Sequence, residues 1–398
     1  MEVSSVGVVG AGTMGASIVV SLLSHGYQVL LKEADEELLA KGMADIDRIQ
    51  KKRESKGVDP QTIADEMQRL TTSTSWTDFT EIDLVIEAVP ETLEIKKAVF
   101  EALDEHCHLN AILATNTSSL SITQIGAFTL RPDKVVGLHF FNPAHLMKLV
   151  EVIPGLETSQ DTVETALNLG RSLGKLAVRV EECPSFLVNR LLGRYMNESL
   201  FCLENKLADI ETIDAAAVDF VVPIGPLALR DMNGADIGLA VARYNHQEYG
   251  VRYAVPTILE KMVEENLLGR KTGQGFYIYD PQGGKKTGPN PRIDELIGKK
   301  KGRSHSKSKS ELDPVHLFLP MINEAFLVMQ ERICSPLDID PALMAGLGMR
   351  RGPFAIAQEI GLARCLELTN QAFELYGERF RPAPLLKRFV HARRSTIF

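Results

Sequence analysis

The spacing of apolar residues changes once along the chain, near residue 184. Before that point, short runs rich in Val, Ile and Leu alternate with stretches of helical periodicity. The runs SVGVVG (5–10), YQVLLKE (27–33), TTSTSW (71–76), DLVIEAV (83–89), AILATN (111–116), KVVGLHF (134–140), KLVEVI (148–153) and KLAVRVEE (175–182) read as strands. Between them, TMGASIVVSLLSHG (13–26) and TLEIKKAVFEALDEH (92–106) read as helices, and a long polar helix is expected over about 35 to 56. Such alternation predicts an α/β Rossmann-type doubly wound sheet with its ligand crevice outside the carboxyl ends of the strands. From Pro184 onward the spacing is helical, as in FLVNRLLGRYMNESLFCLENKL, apart from a brief GFYIY at 275–279. This predicts an all-α domain.

The helical region repeats itself. GPLALRDMNGADIGLAVARYNHQEYG (225–250) aligns with GPFAIAQEIGLARCLELTNQAFELYG (352–377), and upstream Met196-Asn197-Glu198 aligns with Ile322-Asn323-Glu324. The expected organisation is therefore a Rossmann-type domain over 1–183, one helical copy over 184–280, a flexible Lys-, Ser- and Gly-rich linker over 281–313, and a second helical copy over 314–398. The two copies are expected to pack on each other as an internal pseudo-dimer.

Length and composition narrow the function. A chain of 398 residues with 44% hydrophobic content buries a substantial core, and a net charge of −8 argues against nucleic acid as a partner. No apolar run is long enough to span a bilayer. Five scattered cysteines (107, 183, 202, 334 and 365) lack any C-x-x-C spacing and read as reduced core thiols, with no metal site expected. No signal sequence is visible at the start, and the Ser-Thr-Ile-Phe end is not a peroxisomal address, so a cytoplasmic location is expected.

Two features carry chemistry. GAGTMG lies between the first strand and first helix, so that Gly10 permits a tight turn, Gly12 admits a pyrophosphate and Gly15 allows close helix–strand packing; Thr13 and Met14 complete the loop. Glu33, closing the second strand, is placed to bind the ribose of NAD and to repel the extra phosphate of NADP, with Asp35 as a competing candidate. Further along, GLHFFNPAHLMKLVEVIPG (137–155) holds His139 and Glu151 on two apolar runs joined by an Asn142-Pro143 turn. A buried carboxylate beside one imidazole nitrogen fixes the tautomer and raises the basicity of the other, which makes a general base. The other strand ends to watch are 87–91 and 116–119, where Ser118 or Ser119 could equally be a helix cap.

Together with DLVIEAVPE, LATNTSSLSI, ECPSFLVNR and GRKTGQGFYIYD, these stretches resemble the L-3-hydroxyacyl-CoA dehydrogenase family over nearly the whole chain. The resemblance implies NAD-dependent oxidation of L-3-hydroxyacyl-CoA to 3-oxoacyl-CoA, in fatty-acid β-oxidation or its reverse. It implies His139 as general base, Glu151 as its partner, and Ser118 and Asn189 around the substrate oxygen. Glu91, Lys96 and Asn142 fall near the nicotinamide, and Lys56 near the CoA nucleotide. The second helical copy has no counterpart of Asn189. Glu33 stands where the family usually has aspartate, a change that keeps the charge. A separate enoyl-CoA hydratase is a possible partner on this resemblance, since multifunctional members carry that domain. Two other functions fit the same fold: a non-catalytic NAD-binding structural or sensing protein, and a dehydrogenase of a different hydroxy acid.

Overall fold

The computed structural model describes residues 3–281, 284–298 and 312–398. The chain divides into two compact units, one formed by 1–186 with 333–338 and the other by 187–332 with 339–398.

The first unit runs β1 (Ser5–Val9), α1 (Thr13–Leu23), β2 (Gln28–Lys32), α2 (Glu36–Glu54), α3 (Pro60–Met67), β3 (Leu70–Ser73), β4 (Leu84–Glu87), α4 (Leu93–His106), β5 (Ile112–Thr115), α5 (Ile122–Gly126), β6 (Val135–Phe140), β7 (Leu149–Pro154), α6 (Gln160–Ser172) and β8 (Leu176–Arg179). These strands form one sheet in the order β3-β2-β1-β4-β5-β6-β7-β8. The first six are parallel, β7 is antiparallel to β6, and β8 is parallel to β7. The reversal follows from chain length: residues 141–148 are too few for a parallel crossover, which needs about a dozen or more. Strands β4, β5, β6 and β7 are buried throughout, which explains their continuous apolar runs. The order reverses between β1 and β4, where such sheets open their crevice.

β3 ends at Ser73, three residues before the expected limit. There the Ser73 hydroxyl donates to Asp78 and accepts from the Ser75 N–H, so side chains take over from the ladder. The polar helix α2 starts from an Asp35 cap whose carboxylate accepts the Leu38 N–H. Asp35 thus has a structural role at the helix start, beside its candidacy with Glu33. The basic end of α2, Lys51, Lys52 and Arg53, is exposed at its two lysines but not at the arginine. Arg53 is largely buried and pairs with Glu66 of α3.

The second unit is largely helical. It contains α7 (Val188–Glu204), α8 (Ile210–Phe220), α9 (Pro226–Asn233), α10 (Ala235–Tyr249), α11 (Thr257–Glu264), β9 (Tyr277–Tyr279), β10 (Lys286–Pro289), α12 (Pro291–Ile297), α13 (Pro314–Glu331), α15 (Pro353–Ile360), α16 (Leu362–Tyr376), α17 (Pro384–His391) and most of α14 (Pro336–Leu347). Two expectations are corrected. The domain is not all-α, because β9 and β10 pair as an antiparallel ribbon. Nor is 281–313 simply a linker, because β10 and α12 occupy its first half, with the Asn290 side chain capping α12 and donating to the Gly275 carbonyl. Residues 299–311 lie outside the described part. α7 packs along α13, with Tyr195 stacked on Phe318 at 4.4 Å. Among the described residues no helix is long and apolar enough to cross a membrane.

Candidate active site

The loop after β1 shows why each glycine is needed. Gly10 sits at φ +99°, and a Cβ there would meet the Ala88 carbonyl. A Cβ on Gly15 would fall 1.8 Å from the Gly10 carbonyl oxygen, so only glycine lets α1 begin this close to the strand. At Gly12 a Cβ would meet nothing within 4 Å, which is the open approach a pyrophosphate requires. Thr13 is exposed in the first turn of α1 and Met14 half-buried. Glu33 reaches back to this loop: its carboxylate accepts the Ala11 N–H at 2.5 Å and the Ala34 N–H at 3.0 Å. Gly42 of α2 completes the packing, since a Cβ there would fall 2.2 Å from that of Ala11. Nothing in the sequence pattern marked that contact.

At the ends of β4 and β5 lies an ionic cluster with Lys96 and Glu87 buried and Glu91 at its exposed edge. Lys96, on α4, is 1% exposed and donates to both oxygens of Glu87 at 2.7 and 2.9 Å, while Glu91 lies 3.3 Å away. Glu87 also accepts from Thr115 Oγ1 and the Val89 N–H. Glu91 accepts from Thr117 Oγ1 at 2.6 Å, the Ser118 N–H at 2.9 Å and the Ser119 hydroxyl at 3.2 Å. Burial alone would raise the Glu91 carboxyl, but Lys96 and these donors hold it below the usual carboxylate value. The structure thus brings Glu91, Lys96 and Ser118 together. It adds Glu87 and Thr117, both inside the strand ends to watch, and Thr115, which had no signal in the sequence.

His139 and Glu151 form the second constellation. Antiparallel pairing sets them opposite each other, and His139 Nδ1 lies 2.7 Å from Glu151 Oε2. Both are buried, Glu151 completely. An ionised carboxylate only accepts, so Nδ1 carries the hydrogen and Nε2 keeps its lone pair. Phe141 and Phe186 pack on the ring, with centroids 4.6 and 5.9 Å away. Asn116 fixes the strand end by accepting the Phe140 N–H.

The turn after β6 is fixed from below. Lys175 donates to the Ala144 and Met147 carbonyls, and Ser17 of α1 bonds His145 through its ring and its N–H. Asn142 is exposed at the start of this turn. Burial and then the positive charges of Arg53, Lys175, Lys52 and Lys56 lower the basicity of His145. Lys56 itself is exposed. Asn189 is half-buried in the first turn of α7 and belongs to the second unit. The geometry of the first unit does not include it.

The fold and this site define a dinucleotide-binding α/β unit with a buried histidine–carboxylate pair, joined to a helical unit. Comparison with known proteins gives the family. The NAD binding domain of 3-hydroxyacyl-CoA dehydrogenase matches residues 5–183, and the C-terminal domain of 3-hydroxyacyl-CoA dehydrogenase matches 186–279 and again 315–396. The chain belongs to the 3-hydroxyacyl-CoA dehydrogenase family. It is 36% identical over 386 residues to the fatty acid oxidation complex subunit alpha of Vibrio cholerae, covering 96% of this chain but only 54% of that protein. It thus spans about half the length of that relative. The 3-hydroxybutyryl-CoA dehydrogenase of Clostridioides difficile is 44% identical over 276 residues, 69% of this chain and 98% of that protein. The crystal structure of 3-hydroxybutyryl-CoA dehydrogenase from Escherichia coli K12 superposes with a TM-score of 0.86 at 31% identity, covering 98% of this chain and 99% of that one.

Proposed function

We propose that this chain is an NAD-dependent dehydrogenase that oxidises the 3-hydroxyl of L-3-hydroxyacyl-CoA to a ketone, or catalyses the reverse, with His139 as general base. The observation that carries the reading is the buried His139–Glu151 pair, which leaves Nε2 able to accept a proton. Gly10, Gly12, Thr13, Met14 and Gly15 would hold the pyrophosphate, and the room at Gly12 fits that group. Glu33, already bonded to the loop, would receive the ribose hydroxyls and disfavour a 2′-phosphate. When bound, NAD supplies the acceptor for the hydride from C3.

The chain's own residues handle the proton. His139 Nε2 takes it from the substrate hydroxyl, and Glu151 stabilises the imidazolium that results. Ser118, tied to Glu91, is assigned to orient the substrate oxygen. Glu91, Lys96 and Asn142 are assigned to the nicotinamide end, and Lys56 to the CoA nucleotide. The resemblance also assigns Asn189 to the substrate oxygen, and its own substitution tests that. Because the V. cholerae relative is named as a subunit of a fatty acid oxidation complex, a place in β-oxidation beside an enoyl-CoA hydratase, in the cytoplasm, follows as part of the proposal.

The test is direct. Purified chain is given NAD and L-3-hydroxybutyryl-CoA, longer 3-hydroxyacyl-CoAs, or free 3-hydroxy acids, and NADH is followed by absorbance. Turnover of the CoA esters but not the free acids is expected. NAD binding without turnover of any ester would replace this reading with a non-catalytic one, and turnover of free acids alone would replace the substrate class.

A further inference from the structure

The helical unit contains a side-chain cluster that the proposed dehydrogenase chemistry does not use. Glu198 and Cys202 lie four residues apart on one face of α7, and His316 lies in the first turn of α13. Glu198 Oε1 is 3.1 Å from His316 Nε2 and 4.0 Å from Cys202 Sγ, and the three donor atoms all fall within 4.8 Å of one another. Glu198 and Cys202 are buried, whereas the His316 side chain is 19% exposed, which gives an entry path.

The aligned positions of the other segment show that this donor set is not imposed by the fold. Glu324, which aligns with Glu198, is enclosed by guanidinium groups: Arg190 at 2.8 Å, Arg252 at 3.2 Å and Arg194 at 3.5 Å. The place of Cys202 is taken there by Val328, and that of His316 by Arg190. Arg379 donates to Glu198 Oε2 at 2.8 Å and Arg194 acts on the same carboxylate through its charge, while Oε1 faces the imidazole and thiol. Arg379 also lies 4.3 Å from the Phe201 ring centroid, whose face helps to hold the guanidinium in place.

We propose that Glu198 Oε1, Cys202 Sγ and His316 Nε2 bind one zinc ion that clamps α7 to α13. Bond lengths of about 2.0–2.3 Å set tetrahedral zinc ligands roughly 3.3–3.8 Å apart, close to the spacing seen, so small side-chain shifts suffice. A thiolate, an imidazole and a carboxylate form a ligand set that zinc favours, with a water in the fourth place. Binding releases the Cys202 thiol proton to solvent and replaces the Glu198–His316 hydrogen bond, and thiolate plus carboxylate match the charge of the ion. Arg379 holds the carboxylate in orientation from its other oxygen.

The experiment uses the full chain, freed of metal by a chelator and titrated with zinc or cobalt(II). One cobalt per chain with a thiolate charge-transfer absorption is expected, together with a zinc-dependent rise in melting temperature. Cys202→Ser should lose the absorption. His316→Gln, at a partly exposed position where folding is least at risk, should weaken zinc binding by about a hundredfold or more. Dehydrogenase turnover should be unchanged in both variants. Failure of the wild-type chain to bind zinc at micromolar concentration, or equal binding by wild type and His316→Gln, would overturn the proposal.

Discussion

His139 and Glu151 face each other across the antiparallel ladder of β6 and β7, imidazole to carboxylate at 2.7 Å, both out of water. If this pair is the base and its orienting partner, substituting either end lowers the rate. His139→Gln is expected to lower kcat by about a hundred- to ten-thousand-fold while NAD affinity holds, because the glycine loop is untouched. Calorimetry checks the second half, and lost NAD affinity would refute the assignment.

Glu151→Gln keeps the shape but offers an N–H where the ring needs an acceptor, which favours the wrong tautomer. The rate should fall while NAD affinity, read by calorimetry, holds. A wild-type kcat in this variant would make Glu151 structural only.

Glu33 holds a negative charge against the loop that would receive the cofactor. Glu33→Ala should narrow the preference for NAD over NADP, in kcat/KM, by at least about tenfold. A constant ratio would show that the discrimination lies elsewhere.

Lys96 neutralises Glu87 inside the protein, and Lys96→Met would leave that carboxylate buried and unpaired. Urea unfolding should show a loss of about 3–5 kcal/mol, with partial recovery in the double variant Lys96→Met, Glu87→Gln. Wild-type stability in the single variant would mean that water reaches Glu87.

Asp231 gives the pH dependence. Burial pushes its carboxyl up to about 6, against the pull of the Phe276 and Tyr277 N–H groups and the Tyr279 hydroxyl. Its folded-state value exceeds the unfolded one, so the folded protein holds the proton more tightly. The contribution, on the order of 2 to 3 kcal/mol, is present below about pH 4 and is lost as pH rises through 6. Asp231→Asn should flatten that part of the stability profile, measured by denaturant titration at several pH values.

Much of this arrangement was legible in the sequence, for physical reasons. Strands buried on both faces leave unbroken apolar runs, so β1, β2, β4, β5, β6 and β7 stand out, and a histidine and a glutamate inside two such runs are forced indoors together. Gly10, Gly12 and Gly15 were legible because each answers a different steric demand. What stayed hidden depends on partners brought together only by folding. Arg53 looked like one more cation at a helix end until α3 supplied Glu66, and Thr115 looks like any strand-end threonine until Glu87 is beside it. The ribbon of β9 and β10 was missed because β10, Lys286–Pro289, has no apolar alternation and is held by backbone pairing to Tyr277–Tyr279.

The contact between α7 and α13 has a consequence for how such a chain can change. In a symmetric association of two identical chains, every substitution at the seam arrives twice, and both ends must tolerate it. Here the two sides of the seam are encoded separately, so each end can drift by itself. Arg190 gathers Glu324 and Glu331 at one end, while His316 and Arg379 share Glu198 at the other. Pro320 stands within α13 where α7 has Arg194. One end holds a dense knot of charge and the other a thiol and an imidazole, a difference open to a seam written into a single polypeptide.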